Sequence, residues 1–152
     1  MQRILFVCLG NICRSPAAEA VFAVRARAAG LAVGVDSAGT SDWEAGKPPY
    51  PPMIAAAAAR GYDLSPLRAR QARPADFAAF DLILAMDRAN LSALQAIRPA
   101  GNATPLRLFL DGVAGIAARE VPDPYYTRDF DAALDLIEAG ADALVARLAA
   151  GA

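Results

Sequence analysis

Four short apolar runs, each followed by a loop or a helical pattern, restrict the chain to a narrow class of folds. The runs lie at residues 3–7, 33–36, 82–86 and 106–109, and helical patterns lie at 16–29, 53–60, 88–97 and 129–148. Each run is continuous rather than alternating, which is typical of parallel strands that helices cover on both faces. The order predicts an α/β fold in a single domain over residues 1–152, with a doubly wound, four-stranded parallel sheet and helices on both faces.

The start of the first helix and two long loops indicate where a ligand would bind. Ser15 is expected to be the N-cap of this helix, with Pro16 at its first helical position. Doubly wound folds bind ligands at the carboxyl ends of their strands, which is where the segment before this helix lies. The loops, at residues 41–52 and 111–126, are long enough that a function is expected of them.

Composition excludes several classes of function. The chain has no histidine, which rules out Ser-His-Asp and Cys-His catalysis and His-ligated metal sites. Two cysteines are too few for a Cys₄ zinc site and suggest a reduced, intracellular protein. The net charge of -1 gives no field for general nucleic-acid binding, and no run reaches the ~20 apolar residues of a membrane helix. Only one of the fifteen cations is lysine, so an anion site would use arginine and backbone amides.

The segment between the first strand and the first helix carries the strongest chemical pattern. Gly10 and Asn11 tolerate left-handed backbone angles, so a loop here can close over the helix N-terminus and direct several amides at one point. We expect Cys8, facing those amides and Arg14, to be a thiolate and a nucleophile for a phosphoryl group. Arg14 can place two N–H donors on the phosphoryl oxygens. The alternative for Cys8 is a small, buried apolar residue of the strand.

Asp123 is the candidate proton donor. Without histidine, a carboxyl group must protonate the departing oxygen. Asp123 precedes Pro124 in a long loop and stands beside Tyr125 and Tyr126, which could flank an aromatic substrate. The alternative is a solvated turn residue, since Asp-Pro often opens a turn.

The run VCLGNICRSPAAEAVF at residues 7–22 closely resembles the phosphate-binding loop and first helix of the low molecular weight protein tyrosine phosphatases, with their Cys-x₅-Arg-Ser/Thr motif. The resemblance extends to residues 36–40, 69–71, 85–91 and 121–126, and so over essentially the whole chain. It implies a hydrolase that acts on phosphotyrosine or other aryl phosphate monoesters through a cysteinyl-phosphate, without metal or cofactor.

The resemblance also implies roles for individual residues. Cys8 would attack phosphorus, Arg14 would bind the phosphate oxygens, and Asp123 would protonate the leaving oxygen and then activate water. Ser15 would assist departure of the thiolate. The phosphate-binding loop would comprise Leu9, Gly10, Asn11, Ile12 and Cys13, and Asn11 with Ser37 would hold that loop in place. The aromatic ring of the substrate would lie among Ile12, Trp43, Tyr125 and Tyr126. For Trp43 and Tyr125 the alternative is a half-buried loop anchor.

Three departures from the family pattern stand out. Glu44 follows Trp43, where many relatives have histidine, and Leu67 replaces the histidine that in relatives belongs to the hydrogen-bond network behind Asn11. The sequence therefore does not show how Asn11 is held. After Tyr126, residues 127–129 are shorter and less glycine-rich than usual, so the mobility of the acid loop is expected to differ.

Alternatives of other classes remain at this point. A thioredoxin-coupled arsenate reductase shares the fold and first loop, but uses a distant cysteine pair that this chain lacks. Relatives that act on phosphoarginine have threonine at the position of Ile12. A catalytically silent anion-binding module would gain nothing from both Cys8 and Asp123.

The expected partners are phosphotyrosine proteins, with a cognate tyrosine kinase as a further candidate, and the expected location is the cytoplasm. A reversible Cys8–Cys13 disulfide is a hypothesis motivated by the spacing and the resemblance.

Overall fold

The computed structural model describes residues 1–151 and contains one four-stranded parallel sheet. The strands are β1 (Gln2–Cys8), β2 (Val33–Gly39), β3 (Leu82–Ala85) and β4 (Leu106–Leu108), and their spatial order is β2-β1-β3-β4. The helices are α1 (Arg14–Ala28), α2 (Pro51–Ala58), α3 (Asp76–Ala79), α4 (Arg88–Ile97), α5 (Pro124–Thr127) and α6 (Phe130–Ala149). The predicted α/β fold is confirmed.

The central strand β1 is buried on both faces because helices pack on each side of it. Ile4 and Phe6 belong to the core beneath α1 and α6, where Phe6 contacts the rings of Phe22 and Phe109 at centroid distances of 5.7 Å each. Leu5 and Val7 belong to a second core on the other face, which α3 and α4 cover. Burial on both faces explains why the apolar run of β1 is continuous in the sequence.

The predicted start of the first helix is wrong. α1 begins at Arg14 with Cys13 as its N-cap, and no side chain caps it. Ser15 cannot act as the cap because its hydroxyl is used within the loop, by Cys8, Asn11 and the carbonyl of Ala38. Pro16 therefore occupies the third helical position, which is still within the first turn, where a missing N–H costs nothing.

Several other helices and strands begin or end at residues that differ from the predicted ones. β2 continues to Gly39, because its register pairs Gly39 with Cys8, whereas the apolar run stops at residue 36. α2 begins at Pro51, so the predicted loop 41–52 is two residues shorter. α3 and α5 are four-residue helices in segments without helical periodicity. Among the helices in residues 1–151, none has the length and apolar character that crossing a membrane requires.

The sheet order decides where a site can form. The connection after β1 leads to β2 on one side, while β3 pairs with β1 on the other side. A crevice forms at the carboxyl end of β1 where these connections diverge, and it is the usual ligand site of such sheets. Cys8 is the last residue of β1, so the segment between β1 and α1 lies in that crevice.

Candidate active site

Cys8 lies at the base of a pocket and has polar neighbours. Its sulfur accepts a hydrogen bond from the backbone N–H of Asn11 at 3.3 Å and lies 3.0 Å from the Ser15 hydroxyl oxygen. The residue is only 3% exposed, yet it lines the pocket. A thiolate at this position would thus have two directed donors, which is more than a packing role requires.

The loop after Cys8 is tight because two positions allow a close approach of backbones. Asn11 adopts a left-handed conformation with φ of 56°, as its residue type favours, whereas Gly10 does not. Gly39 lies so close to the loop that an added Cβ would be 2.7 Å from the Leu9 carbonyl oxygen. The end of β2 is bonded to the loop by Thr40 N–H donating to Cys8 O at 2.9 Å. Gly39 is thus a required residue that the sequence analysis did not assign to the site.

Asn11 is held in place without any histidine. Its amide nitrogen donates to the hydroxyl oxygens of Ser15 at 2.7 Å and Ser37 at 3.0 Å. Its amide oxygen accepts from the backbone N–H of Arg70 at 3.0 Å. Leu67 instead packs against the core. All three polar contacts of the Asn11 side chain therefore come from groups that need no imidazole.

Arg70 is a second structural residue that sequence reasoning missed. Its guanidinium forms ion pairs with Asp36 on β2 and Asp76 on α3, both at 3.1 Å. These bonds fix the backbone that presents its N–H to Asn11. The resemblance at residues 69–71 includes Arg70, but it does not show which groups Arg70 contacts.

Arg14 is buried beneath the loop, with a side-chain exposure of 2%. Its Nη1 donates to Asp87 at 2.7 Å and to the Val121 carbonyl at 3.0 Å, and its Nη2 donates to Asp123 at 3.3 Å. Burial acts to lower the pKa of Arg14, but the charges of Cys8, Asp87 and Asp123 outweigh it and raise the pKa. Arg14 is therefore a permanent cation in the site.

One donor of Arg14 remains without a partner. Within residues 1–151, its Nε is the one buried side-chain nitrogen or oxygen for which no hydrogen-bond partner is found. A buried, unsatisfied donor on a cation costs free energy unless an acceptor is supplied. An oxyanion bound at the loop would supply it.

Asp87 orients Arg14, and sequence reasoning assigned it no role. It is the N-cap of α4, where its side chain accepts from Asn90 N–H at 2.8 Å in a capping box. Its other oxygen accepts from Arg14. A carboxylate fixed at a helix N-terminus is a rigid support for the guanidinium.

Asp123 has both a turn role and a contact in the site. It caps α5 by accepting from Tyr125 N–H at 3.1 Å, as a turn-opening aspartate does. Its second oxygen contacts Arg14. The two alternatives from sequence are therefore compatible, because separate carboxyl oxygens make the two contacts.

Arg128 fastens the loop that follows Asp123. This residue has φ of 64°, a conformation that usually favours glycine. Its guanidinium donates to the Tyr50 hydroxyl at 3.0 Å and lies over the rings of Tyr50 and Phe130. Tyr125 also packs on Tyr50, with ring centroids 5.2 Å apart. In this glycine-poor segment, an arginine with several partners thus adopts the left-handed conformation.

The pocket above Cys8 is walled by loop residues and exposed aromatic rings. Trp43 and Tyr126 are both 69% exposed, and Trp43 is therefore no half-buried anchor. Glu44 forms an ion pair with Lys47 at 2.9 Å. The complete lining is Cys8, Leu9, Gly10, Ile12, Cys13, Trp43, Glu44, Asp123, Tyr125 and Tyr126. Of the predicted site residues, Asn11, Arg14, Ser15 and Ser37 lie behind this lining and support it.

Comparison with known proteins gives the family. The model of the low molecular weight phosphotyrosine protein phosphatase family matches residues 3–151. The chain belongs to this family. Among the relatives of this phosphatase-family chain, the low molecular weight protein-tyrosine-phosphatase YfkJ of Bacillus subtilis is 39% identical over 150 residues, which are 97% of this chain and 96% of YfkJ. A putative low molecular weight protein-tyrosine-phosphatase of Synechocystis is 45% identical over 142 residues, 90% of each chain.

Solved structures of family members share the whole fold. The crystal structure of YfkJ matches with a TM-score of 0.94 at 38% identity and covers 99% of this chain and 96% of YfkJ. The crystal structure of a protein tyrosine phosphatase from Entamoeba histolytica matches with a TM-score of 0.93 at 35% identity, covering 99% of both chains. The proteins named in these comparisons are protein tyrosine phosphatases, that is, hydrolases of phosphoric monoesters. The resemblance stated from the sequence is confirmed.

Cys13, the second cysteine of this phosphatase-family chain, lies in surroundings that oppose its ionisation. Burial, together with the nearby charges of Cys8 and Asp123, raises the pKa of the Cys13 thiol well above its usual range. Cys13 therefore stays protonated at neutral pH. Both cysteines are free thiols in the structure.

Proposed function

We propose that the chain hydrolyses phosphotyrosine and other aryl phosphate monoesters through a cysteinyl-phosphate intermediate. The observation that supports this most directly is the position of the Cys8 sulfur. It lines an open pocket, receives the Asn11 N–H and faces the Ser15 hydroxyl, while Asp123 lines the same pocket and contacts Arg14. A nucleophile, a cation and a carboxyl group thus meet at one point.

The phosphate group would bind between the loop and Arg14. The unpartnered Nε of Arg14 offers it a buried donor. The N-terminus of α1, which no side chain caps, adds backbone N–H groups and the positive end of the helix dipole. Because these groups stabilise charge spread over the equatorial oxygens, they favour the transition state of phosphoryl transfer.

In the first step, the Cys8 thiolate forms a bond to phosphorus as the bond from phosphorus to the aryl oxygen breaks. Asp123, in its protonated form, gives its proton to that oxygen, so the product leaves as a neutral phenol. In the second step, water attacks phosphorus and gives a proton to Asp123. The sulfur–phosphorus bond breaks, and the Ser15 hydroxyl donates to the departing thiolate.

The pocket walls favour an aryl substrate. Ile12, Trp43, Tyr125 and Tyr126 line the pocket and can flank a phenyl ring. Phosphotyrosine proteins are therefore the proposed substrates, and the tyrosine kinases that produce them are candidate partners. We further propose the cytoplasm as the location, because the nucleophile must remain a reduced thiol.

Hydrolysis of p-nitrophenyl phosphate in the presence of EDTA tests the proposal. We expect the native chain to be active, Cys8→Ser to be inactive, and a phosphorylated species of the native chain to be trapped by rapid acid quench. Phosphotyrosine peptide should be preferred over phosphoserine peptide and over phosphoarginine. Dependence on added metal, or full activity of Cys8→Ser, would contradict the mechanism. A preference for phosphoarginine would contradict the substrate class alone.

A further inference from the structure

A continuous chain of hydrogen bonds connects the carboxylate of Glu19, on α1, to the sulfur of Cys8. Glu19 accepts from the Ser37 hydroxyl at 2.6 Å. Asn11 donates to Ser37 at 3.0 Å and to Ser15 at 2.7 Å, and Ser15 lies 3.0 Å from the Cys8 sulfur. The chain passes through side chains from three segments: α1, the loop before it, and β2.

Counting hydrogens fixes the direction of the bonds among Glu19, Ser37, Asn11 and Ser15. The amide nitrogen of Asn11 has two hydrogens, one for each serine, and its oxygen is held by the Arg70 N–H. Each serine therefore accepts from Asn11 and must direct its single hydrogen elsewhere. Ser37 directs its hydrogen to Glu19, and Ser15 is then free to donate to the thiolate of Cys8.

We propose that Glu19 is a positioning residue for the nucleophile. By accepting from Ser37 it keeps the Ser37 oxygen available to Asn11, and so holds Asn11 in the orientation that makes Ser15 a donor to Cys8. Without this acceptor, the hydrogen of Ser37 loses its fixed direction. The Ser15 hydroxyl can then turn to the Ala38 carbonyl, which lies 3.3 Å away. This inference rests on the proposed function, in which Cys8 reacts as a thiolate.

The surroundings of Glu19 oppose its charge. Burial and the nearby charge of Asp36 raise the pKa of Glu19, while the Ser37 hydrogen bond and Arg70 act in the opposite sense. Asp63 lines the same cleft from the segment after α2, and Leu67 lies beside it. A partly buried carboxyl group beside another negative charge costs stability, so a packing role alone does not explain why Glu19 stands here.

The test measures the pH dependence of Cys8 alkylation by iodoacetamide, with the modified cysteine identified by peptide mass. The variants are Glu19→Leu, which removes the acceptor and keeps a side chain of similar size, Ser37→Ala, and the two combined. The matched control is Glu138→Leu, because Glu138 on α6 also accepts from a hydroxyl, that of Tyr62 at 2.7 Å, but belongs to no part of the loop. Folding of each variant is checked by circular dichroism.

The expected result is a rise of about 0.5 to 1 unit in the midpoint pH of Cys8 alkylation in both single variants, as for loss of one charge-assisted hydrogen bond. The double variant should rise no further than Ser37→Ala, because Glu19 acts only through Ser37. Glu138→Leu should match the native chain. We also expect kcat for p-nitrophenyl phosphate to fall more than KM changes, since a less stable thiolate leaves more slowly.

The sign of the shift separates this inference from a simple charge effect. A negative charge near a thiol disfavours the thiolate, so removing that charge would lower the midpoint. An unchanged or lowered midpoint in Glu19→Leu overturns the proposal, and so does a further rise in the double variant. If Glu19→Leu does not fold, the same midpoint in Ser37→Ala as in the native chain overturns it. Alkylation requires no turnover, so these outcomes are independent of whether the chain hydrolyses aryl phosphates.

Discussion

Nη2 of Arg14 donates to Oδ2 of Asp123 at 3.3 Å, so the group proposed to bind phosphate touches the group proposed to move the proton. The bond from Nη1 of Arg14 to Asp87 is shorter, at 2.7 Å. Asp87 is fixed at the start of α4, whereas Asp123 lies in a loop. Asp87 is therefore the permanent support of Arg14, and Asp123 is the partner that a phosphate group can replace.

Replacing the acid should separate catalysis from binding. We expect Asp123→Asn to lower kcat by about 10²- to 10³-fold, with the greatest loss for aryl phosphates whose leaving groups are poor. Inorganic phosphate should bind at least as tightly, because a negative charge beside Arg14 is removed. Steady-state kinetics over a series of substituted phenyl phosphates measures both effects. An equal loss for good and poor leaving groups would show that Asp123 is not the acid.

Loss of the Asp87 carboxylate should weaken phosphate binding. Asp87→Asn removes the charge that orients Arg14, and we expect kcat/KM to fall about 10-fold, as for one charge-assisted hydrogen bond. The control is Glu120→Gln, whose ion pair with Arg88 at 3.5 Å is exposed and should contribute little. Inhibition by inorganic phosphate measures the binding loss. Equal behaviour of the two variants would contradict the role of Asp87.

The carboxyl group of Glu138 should make stability depend on pH. Burial acts to raise the pKa of Glu138, but the Tyr62 hydroxyl and the Arg60 and Arg25 guanidiniums outweigh it and lower the pKa. A lowered folded-state pKa stabilises the fold above the unfolded value, and this stability is lost as pH falls through the folded value. Glu138→Gln should thus cost about 1 to 2 kcal/mol at pH 7, and the difference should shrink as pH falls below the unfolded value of about 4.3 and through the lower folded value. Urea unfolding at pH 7 and across this acidic range measures it; a constant difference would refute the linkage.

Glu19 should show the opposite pH dependence. Its raised pKa stabilises the fold below the unfolded value, and that stability is lost as pH rises through the folded value. Because glutamine stays neutral and keeps an oxygen that can accept from Ser37, Glu19→Gln should unfold at a higher temperature than the native chain at pH 7. Thermal unfolding at pH 7 tests this effect of the charge. A lower unfolding temperature would show that the carboxylate supports the fold instead.

Cys13 is expected to be dispensable for turnover. Its thiol stays protonated, so it does not compete with Cys8 as a nucleophile. Cys13→Ser should keep most of its activity towards p-nitrophenyl phosphate. If the Cys8–Cys13 disulfide forms, this variant should also lose the activity that dithiothreitol restores after peroxide treatment. Equal recovery in the native chain and in Cys13→Ser would exclude the disulfide.

The sequence by itself determined the parts of this protein that depend on neighbouring residues. The continuous apolar run of β1, the Gly10–Asn11 turn and the spacing from Cys8 to Arg14 are local, so they predicted the strand, the loop and the helix that follows. The helix start was wrong because the hydroxyl of Ser15 is taken by contacts within the loop. The sequence also indicated Asp123 as the candidate proton donor, but left open the alternative that it is only a turn residue.

Only the tertiary structure decided how these parts are held. Asn11 depends on Ser37 and on the backbone of Arg70, Arg14 depends on Asp87, and Ser37 depends on Glu19. In each pair the partners are separated by 18 to 73 residues along the chain. A hydrogen bond requires its donor and acceptor to approach within about 3 Å. The parallel pairing of β1 with β2 and β3, together with the bridge from Gly39 to Gln71, brings these segments that close.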